Sequence, residues 1–438
     1  MTLNPECIVS LTPSNQATKE VAVFTKDPKS PEEIPAEGIE RAVELMRGGR
    51  LYRYNFDGQF ATESDREDLA SEPACQVALL EDEFSSLVGH DYAIAVNSCG
   101  SAIFMALKAA GVEHGDKVLT NAFTFTAVPS SIVHAGGTPV YVECTDQYVI
   151  DVDDLEKQIA AHPNAKCFVI SHMRGHIADM ERIQKVCDAA GVCLIEDCAH
   201  ALGCTWRKED INEDIQVGRF GRIACFSSQS YKMLNSGEGG IITTNDDRAA
   251  VYCILAAGSY EYLYKKHIAR PQNDELFEEL KPIVPNFSLR MSNLTAAVIR
   301  PQLNTLQQRI GEYNQRYDQL KKILSKCEHI HVPEYLDRAF RVGDSIQFNL
   351  IGMSGEQVEQ FLAEVKRRGV GLQIFGRLDN SRYYKNWKFS FETEPELKQT
   401  DDIISLACDL RISLTFDKSD IDLLGQVVTD VIAEVTAT

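Results

Sequence analysis

Between Tyr92 and Asn245, short apolar runs alternate with amphipathic stretches, and this rhythm limits the possible folds more than any other feature of the chain. The apolar runs are four to six residues long, which is short for helices and typical of buried strands. Such alternation predicts an α/β fold, with a large, mostly parallel sheet and helices on both of its faces. The expected strands are 92–96, 117–120, 139–144, 167–172, 192–197, 223–228 and 240–245, and the expected helices are 39–47, 75–88, 101–111, 128–135 and 151–161.

The pattern changes on either side of this region. Residues 1–35 are mostly polar and contain five prolines, which is typical of a loose arm. From Asn293 the chain is helical and amphipathic, with Pro301 as a kink or break. Strands at 346–352 and 370–375 and helices at 354–368 and 419–436 then form a smaller α/β pattern. We therefore expect a polar N-terminal arm at 1–35, a large domain at 36–300 and a small C-terminal domain at 301–438.

The charge and the cysteine content exclude several classes of protein. A formal net charge of -20 opposes binding to nucleic acid and to anionic membranes, so we expect neither partner. No CxxC pair occurs among the 13 cysteines, which favours buried thiols in a reducing compartment over disulfides or a metal site. The N-terminus lacks the pattern of a signal peptide, and no apolar run has the length of a membrane span. These features predict a cytoplasmic location.

Four loops that follow expected strands carry small, polar or aromatic residues: NSCGS at 97–101, NAFTFT at 121–126, EDCAHALG at 196–203 and SSQSYKMLNSGEGG at 227–240. Ligands of open α/β sheets gather at the carboxyl ends of strands, so we expect these loops to meet. Together they offer a lysine for an aldehyde, a carboxylate for a ring nitrogen and hydroxyls at a helix start for a phosphate. Those are the needs of pyridoxal 5′-phosphate. Taken singly, each feature is more typical of a surface lysine, a helix cap or tight packing.

The joint order of these motifs resembles the fold-type I pyridoxal-phosphate enzymes, and specifically the sugar aminotransferase family often called DegT or StrS. The resemblance runs from about Ile39 to the C-terminus. Its most specific parts are EDCAHALG and FSSQSYKMLNSGEGG, in which GEGG begins five residues after Lys232, with support from LRMSNLTAA. It implies a fold-type I aminotransferase in which residues 36–300 bind the cofactor.

The resemblance also implies roles for individual residues. Lys232 would hold the cofactor as a Schiff base and would then move a proton in catalysis. Asp197 would pair with the pyridine nitrogen, His200 would lie near the ring, and Phe125 would stack on its face. The further residues implied at the cofactor, chiefly at its phosphate, are Cys99, Gly100, Ser101, Ser227 and Gln229.

Two residues are implied to act across a subunit interface. Asn286 and Arg290 would reach the cofactor phosphate or the substrate of the partner, in a homodimer with composite active sites. The family usually has Asn-x-Arg-Met here, whereas this chain has NFSLRM, with two more residues between the asparagine and the arginine.

The segments implied to face the substrate depart from the family pattern. Arg174 in SHMRGH replaces a residue that is usually aromatic, and 370–389 lacks the usual histidine but contains Arg377 and Arg382. In an acidic chain, basic residues at strand ends are candidates for binding a carboxylate or a phosphate, although pairing with surface acids is an equal alternative. We expect Arg174, Arg290 and Arg377 to contact an anionic or strongly polar substrate.

The expected reaction moves an amino group from an amino acid, glutamate or glutamine, to a keto-sugar, a sugar phosphate, a keto-cyclitol or another polar carbonyl compound. One alternative is a pyridoxal-phosphate-dependent lyase, cyclase or dehydratase on the same fold. The family's sugar dehydratases have a histidine in place of the lysine, so Lys232 argues against that branch. The other alternative is a non-catalytic regulatory protein, against which the joint presence of Lys232, Asp197 and Ser227 argues.

Overall fold

Strands and helices alternate along the chain in the computed structural model, which describes residues 21–30, 32–58 and 75–437. Each strand expected between 92 and 245 is present, with ends that differ by two residues at most. The strands are β1 (Tyr92–Val96), β2 (Lys117–Asn121), β3 (Thr138–Val142), β4 (Cys167–Ser171), β5 (Cys193–Asp197), β6 (Thr205–Arg207), β7 (Asp214–Gln216), β8 (Ile223–Ser227), β9 (Gly240–Thr244), β10 (Ile330–His331), β11 (Ala339–Phe340), β12 (Ser345–Leu350), β13 (Gln373–Ile374) and β14 (Ala407–Arg411). The helices are α1 (Ala36–Gly48), α2 (Gln76–Val88), α3 (Cys99–Ala109), α4 (Ala127–His134), α5 (Val152–Ala161), α6 (Met180–Ala190), α7 (Asp247–Ala257), α8 (Asp274–Leu280), α9 (Asn293–Asn304), α10 (Leu306–Leu324), α11 (Gly355–Arg367), α12 (Lys398–Ile404) and α13 (Lys418–Thr436).

A seven-stranded sheet with the order β1-β9-β8-β5-β4-β2-β3 organises the first part of the chain. Its strand pairs are parallel except those of β9, which runs antiparallel to β1 and β8. Alternate residues of β4 pack on opposite faces: Cys167 and Val169 join the core with α3, whereas Phe168 and Ile170 join the core with α6. The loops after β1, β2, β4, β5 and β8 therefore lie at one edge of a sheet covered on both sides.

The C-terminal part of the chain forms a second sheet, with the order β10-β12-β14-β13. Two of its strands differ from expectation: the strand expected at 370–375 is reduced to β13, and β14 is a strand that the hydrophobic pattern did not predict. In β14, Asp409 and Arg411 share one face while Cys408 and Leu410 are fully buried on the other. β14 carries part of the candidate site.

The helix that contains Pro301 continues past it. α9 ends at Asn304, and α10 begins at Leu306. The Ala297 carbonyl, which would accept from residue 301 in an unbroken ladder, lies 3.3 Å from the Cβ position of Gly38, so α1 packs closely there. α9 packs on α1 and α2, whereas α10 packs on α13. The expected boundary at 300/301 thus falls inside α9, and we propose Thr305 as the division between a large unit and a C-terminal unit.

The described part of the N-terminal arm is bound to the C-terminal unit. Phe24 is 2% exposed, and its ring meets that of Phe416 edge-on with 5.2 Å between centroids. Its backbone N–H donates to the Arg368 carbonyl at 2.7 Å. Glu32 bonds to Arg309 and Tyr313 of α10. Residues 21–30 and 32–34 are therefore not a loose arm, and the first 20 residues of the expected arm lie outside the described residues.

Two further observations concern the helices and the cysteines. Among the described helices, none combines the length and the apolar character that crossing a membrane requires. The described cysteines are free thiols, and Cys167 and Cys225 pack in strands as small apolar residues, whereas Cys193 is half-buried.

A buried ionic network holds α2 against the first strand of the sheet. Arg53 donates two hydrogen bonds of 2.8 Å to the carboxylate of Glu81, and both side chains are almost fully buried. Glu81 also accepts from the Ala95 backbone N–H at 2.8 Å and contacts His267 at 2.9 Å. Burial alone would raise the pKa of Glu81, but Arg53 and His267 lower it to about 2. The carboxylate is therefore charged and connects three separate segments.

We predict that Glu81→Gln strongly destabilises the protein, because it leaves the Arg53 guanidinium buried without a counter-charge. Breaking one side of a buried pair costs about 3–5 kcal/mol, whereas an exposed pair contributes about 1 kcal/mol or less. The control is Glu279→Gln, since Glu279 pairs with Arg248 at the surface. Urea unfolding at equilibrium should give a much lower midpoint for Glu81→Gln than for the control, and equal midpoints would contradict the prediction.

Candidate functional site

The loop between β8 and β9 presents Lys232. The Lys232 backbone N–H donates to the Gln229 carbonyl at 2.9 Å, and that of Ser230 donates to the Gly237 carbonyl at 3.1 Å. Gln302 of α9 accepts from the backbone N–H of Asn235 at 2.8 Å and donates to its carbonyl at 2.7 Å. The loop is thus tied to itself and to a helix, which fixes the position of the lysine.

The GEGG motif brings this loop against the turn that follows β1. A Cβ atom on Gly239 would lie 2.2 Å from Ser228 Oγ, and one on Gly240 would lie 2.3 Å from the Ser98 carbonyl oxygen. At Gly240 the contact is with backbone of the turn after β1, so no side chain fits there, whereas at Gly239 the contact is with a side chain of the lysine loop itself. The lysine loop and the Ser98 turn are therefore held in contact.

Lys232 lies beside two polar residues from the loop after β5. Its Nζ is 2.7 Å from His200 Nε2. The Asp197 carboxylate accepts from the Ser171 hydroxyl at 2.8 Å and from the Ala199 backbone N–H at 3.1 Å. The structure thus brings together Lys232, Asp197 and His200, and it adds Ser171, which the sequence analysis missed.

The surroundings lower the pKa of both nitrogen bases, so that His200 is neutral and Lys232 is partly neutral near pH 7. Burial of the amine lowers the pKa of Lys232 to about 7, and the charges of Arg174 and Arg411 act in the same direction, while Asp197 opposes them. Burial, Lys232 and nearby arginines hold the pKa of His200 well below 6.5. His200 Nδ1 is buried with no hydrogen-bond partner among the described residues. An amine of this pKa can act as a nucleophile and as a proton carrier.

The start of α3 forms a cup of backbone and hydroxyl groups next to the lysine loop. The Ser98 hydroxyl caps the helix by accepting from the Ser101 backbone N–H at 3.1 Å, and it donates to Ser101 Oγ at 2.9 Å. Cys99 and Gly100 are the first residues of α3, so their N–H groups have no acceptor within the helix. Ser227, whose Oγ accepts from the Gln229 N–H at 3.3 Å, ends β8 nearby. A helix start with hydroxyls is suited to bind phosphate.

Phe125 lies in the loop after β2, and its ring is exposed to solvent. Its side chain is 41% exposed, although it follows a buried strand. The Arg382 guanidinium lies 5.6 Å from the ring centroid. The ring is therefore free to cover a planar ligand and is linked to the C-terminal unit.

The side chains of four further candidate residues make other contacts. Arg377 pairs with Glu359 at 2.5 Å on the outer side of the C-terminal unit, so surface pairing is what the structure supports for it. The Gln229 side chain accepts from the Tyr231 backbone N–H at 3.0 Å, which makes it part of the loop's own framework. Asn286 accepts from the Ser288 N–H at 2.8 Å, and Arg290 donates to the Gly258 carbonyl at 2.9 Å.

Glu196, the neighbour of Asp197, stabilises the end of β5 rather than facing the cup at the start of α3. Its carboxylate accepts from the backbone N–H groups of Gly218 and Phe220 at 2.9 and 2.8 Å. His172 lies 3.1 Å from it. His172, Glu196 and Cys198 are close enough to suggest a metal site, but this carboxylate is already occupied by N–H donors.

Sequence reasoning missed Arg411 altogether and named Arg382 only as one of several basic residues. Both contribute to the electrostatics of the site, because they lower the pKa of His200. The signal for Arg411 was the alternation of ACDLRI, in which polar Asp409 and Arg411 interrupt apolar residues with a period of two.

We predict that Lys232 in cofactor-free protein is acylated with a midpoint near pH 7, as its pKa of about 7 requires. Above that pH the amine is neutral and nucleophilic, whereas an ordinary lysine with a pKa of ~10.4 stays protonated. Asp197→Asn should shift the midpoint to lower pH, because the carboxylate raises the pKa of Lys232.

The measurement is peptide mass spectrometry after short exposure to a small acylating reagent across a pH series. Lys185, exposed on α6, provides an internal control in the same digest. A Lys232 midpoint equal to that of Lys185 would show that the site does not perturb the amine.

The sequence matches known proteins over most of its length. Residues 57–429 match the model of the DegT/DnrJ/EryC1/StrS aminotransferase family. The spore coat polysaccharide biosynthesis protein SpsC of Bacillus subtilis is 30% identical over 263 residues, which are 58% of this chain and 64% of that protein. GDP-perosamine synthase of Caulobacter vibrioides is 31% identical over 253 residues, 56% of this chain and 63% of that protein. The matched region thus spans less than two thirds of the length of these relatives.

Solved structures agree on the fold. The crystal structure of 3-amino-5-hydroxybenzoic acid synthase superposes with a TM-score of 0.76 and 21% identity, covering 95% of this chain and 100% of that one. The likeness confirms the expected fold of the pyridoxal-phosphate aminotransferases, with a large sheet and a smaller C-terminal α/β part. Since the family model covers most of the sequence and the fold agrees with it, the chain belongs to the DegT/DnrJ/EryC1/StrS aminotransferase family.

Proposed function

We propose that this protein is an aminotransferase that moves an amino group from an amino acid to a polar carbonyl compound. The observation that carries the proposal is the Lys232 amine, with a pKa of about 7, placed 2.7 Å from His200 and within the field of Asp197. Aminotransferases of this family use pyridoxal 5′-phosphate, which needs such a lysine.

The residues fit this cofactor. The unpartnered His200 Nδ1 and the open face of Phe125 leave room and polarity for a planar, polar ring. We propose that Lys232 binds the cofactor aldehyde and that Asp197 holds a proton on the ring nitrogen. The start of α3 and the hydroxyls of Ser101 and Ser227 would hold the phosphate.

In catalysis each of the side chains at the site would have a separate role. When bound, the cofactor supplies an electron-accepting ring that stabilises negative charge at the substrate carbon. Lys232 Nζ, once freed by the amino donor, would take and return the proton at that carbon, for which its pKa of about 7 is suited. Ser171 would orient Asp197 through its 2.8 Å hydrogen bond. His200 Nε2 would orient the Lys232 amine.

For the substrates, we propose glutamate or glutamine as the donor and a keto-sugar, a keto-cyclitol or a sugar phosphate as the acceptor. The names of two relatives support a sugar, since one is a polysaccharide biosynthesis protein and the other is a GDP-perosamine synthase. A lyase or a non-catalytic regulator on the same fold remains the alternative, which the following measurement separates from a transaminase.

We predict that L-glutamate converts the cofactor of the loaded protein to its amino form in a single turnover, followed by absorbance, with 2-oxoglutarate as product. Lys232→Ala should slow this step by about 10²–10⁴-fold, the usual contribution of a general acid–base. Asp197→Asn should slow it by about 10²–10³-fold, the scale of a lost electrostatic contact.

Two exposed residues of α6 provide matched controls, Lys185→Ala and Asp188→Asn, and both should react at the parent rate. A near-parent rate in Asp197→Asn would refute its role. A parent that leaves its cofactor unchanged with every amino acid tested would refute the aminotransferase proposal and favour the regulator.

We further propose that the enzyme is a homodimer with composite sites. Asn286 and Arg290 lie on a surface with the exposed rings Tyr52 and Tyr260, whose hydroxyls are 3.4 Å apart. The Arg290 guanidinium lies 5.6 Å from the centre of the Tyr52 ring. Exposed aromatic rings beside an arginine are typical of an interface core, so this surface is suited to meet a second copy.

We predict that inactive variants complement each other. If Asn286 and Arg290 serve the partner's Lys232, a mixture of Lys232→Ala chains with Asn286→Ala/Arg290→Ala chains should recover about a quarter of the parent activity. Half of randomly mixed dimers would then be mixed, and one of their two sites would be intact. Subunit exchange is verified by mass, and no recovery despite exchange would place each site within one chain.

A further inference from the structure

Arg174 is held in an unusual backbone conformation beside the site. Its φ of 56° is in the left-handed region, which a non-glycine residue seldom adopts. The Arg341 side chain fixes it by donating from Nε to the Arg174 carbonyl at 3.0 Å. Gly175, with φ of 73°, lets the turn pass close to the His200 carbonyl. The surrounding structure therefore forces the Arg174 side chain into its position.

The Arg174 guanidinium is buried and only partly paired. The residue is 2% exposed, and its Nη2 donates to Asp409 of β14. Its Nε and Nη1 are buried without a hydrogen-bond partner in the part of the chain that the structure describes. The other described arginines with this defect lack a partner at Nε alone. Since buried donors are normally satisfied, two free donors on one guanidinium are suited to bind an oxyanion.

Two more arginines of the C-terminal unit converge on the same place. Arg382 lies 5.6 Å from the ring centroid of Phe125 and 5.9 Å from that of Phe375. Arg411 donates to the Tyr231 carbonyl at 2.7 Å, one residue before Lys232. The Arg382 Nε is also without a partner among the described residues.

The three arginines of this cluster lie within one another's electrostatic field. Burial and the charges of Arg174 and Arg411 lower the pKa of Arg382 to about 10, while Asp409 opposes them. The pKa of Arg411 is also lowered by burial and by Arg174, with Asp344 and Asp409 opposing. Three guanidinium groups thus repel one another near Lys232, with Asp344 and Asp409 opposing them and Asp197 acting on the lysine, in a protein of net charge -20. An incoming anion would relieve this repulsion.

We propose that Arg174, Arg382 and Arg411 form a subsite that binds a carboxylate or phosphate group of a substrate whose reacting atom lies at Lys232. The inference rests on the proposed function and narrows its substrate class to anionic compounds. Guanidinium groups bind both oxyanions through paired N–H donors. An uncharged analogue would leave a desolvated arginine unpaired, so the subsite would also reject neutral substrates.

The test is calorimetric titration of the cofactor-loaded protein with inorganic phosphate and with succinate, at constant ionic strength and without turnover. In the loaded protein the cofactor already occupies its own phosphate cup. Arg382→Gln and Arg411→Gln should each weaken binding of at least one probe by about 10-fold or more, as expected for a charge-assisted hydrogen bond. Arg367→Gln, an exposed arginine of α11 paired with Glu364, should bind like the parent.

Arg174→Gln is a poorer single test, because it leaves Asp409 buried without its partner. Arg382→Lys provides a second measure, since it retains the charge but loses the planar pair of donors, and its binding should be intermediate. The proposal is overturned if the parent binds neither probe, or if Arg382→Gln and Arg411→Gln bind both probes as tightly as the parent.

The two half-reactions show whether the bound anion is the carboxylate of the amino donor or the phosphate of the acceptor. In the donor arm, the apparent Kd of L-glutamate is measured in the same variants. In the acceptor arm, the amino form of the enzyme is offered ketose phosphates and the matching free ketoses. A loss confined to the donor arm assigns the subsite to the donor carboxylate, and a loss confined to phosphorylated ketoses assigns it to the acceptor. A protein that binds the anions but never exchanges an amino group would refute the proposed function alone.

Discussion

The contact between the lysine loop and the turn after β1 is the constraint on which the site depends. A Cβ atom on Gly240 would lie 2.3 Å from the Ser98 carbonyl oxygen, so a side chain at this position would push the two segments apart. Their approach places Lys232 and the start of α3 on the same edge of the sheet, with Asp197 entering from the neighbouring β5. The parallel sheet supplies the shared edge, and Gly240 supplies the closeness that chemistry requires.

The charges around Lys232 act together with the backbone contacts described above. Arg174, Arg382 and Arg411 concentrate positive charge near Lys232 at the sheet edge, while the chain as a whole is strongly acidic. Desolvation and these neighbours keep the lysine amine neutral enough to react, and Asp197 limits the effect. The same field would draw an anionic compound into the site against the repulsion of the outer surface. One cluster can therefore tune the nucleophile and attract its substrate.

The large unit was predictable because its signals are local. Short apolar runs marked every strand from β1 to β9 except the short β6 and β7, and the loops with Lys232, Asp197 and Ser101 follow such runs directly. The C-terminal unit was less predictable for a physical reason. β14 is as long as the main strands of the large sheet, but Asp409 and Arg411 interrupt its apolar residues, so its hydrophobic signal is weak. Arg377 and Arg382 are five residues apart in the sequence, and only the fold shows that one pairs with Glu359 while the other faces Phe125.

Arg174 connects the large unit to the C-terminal unit. It sits in the loop after β4, among residues that build the cofactor side of the site, yet its partner Asp409 belongs to β14 of the C-terminal unit. Gln347 of β12 donates to the other oxygen of Asp409 at 2.9 Å and is itself bonded by Arg341, which also holds the Arg174 carbonyl. The network is closed, so the position of Arg174 depends on both units. Arg382 lies against Phe125 and Phe375, so substitutions there would alter the chemistry that the site accepts without touching the contacts that position Lys232. Arg411 of β14 differs, because it also donates to the Tyr231 carbonyl of the lysine loop.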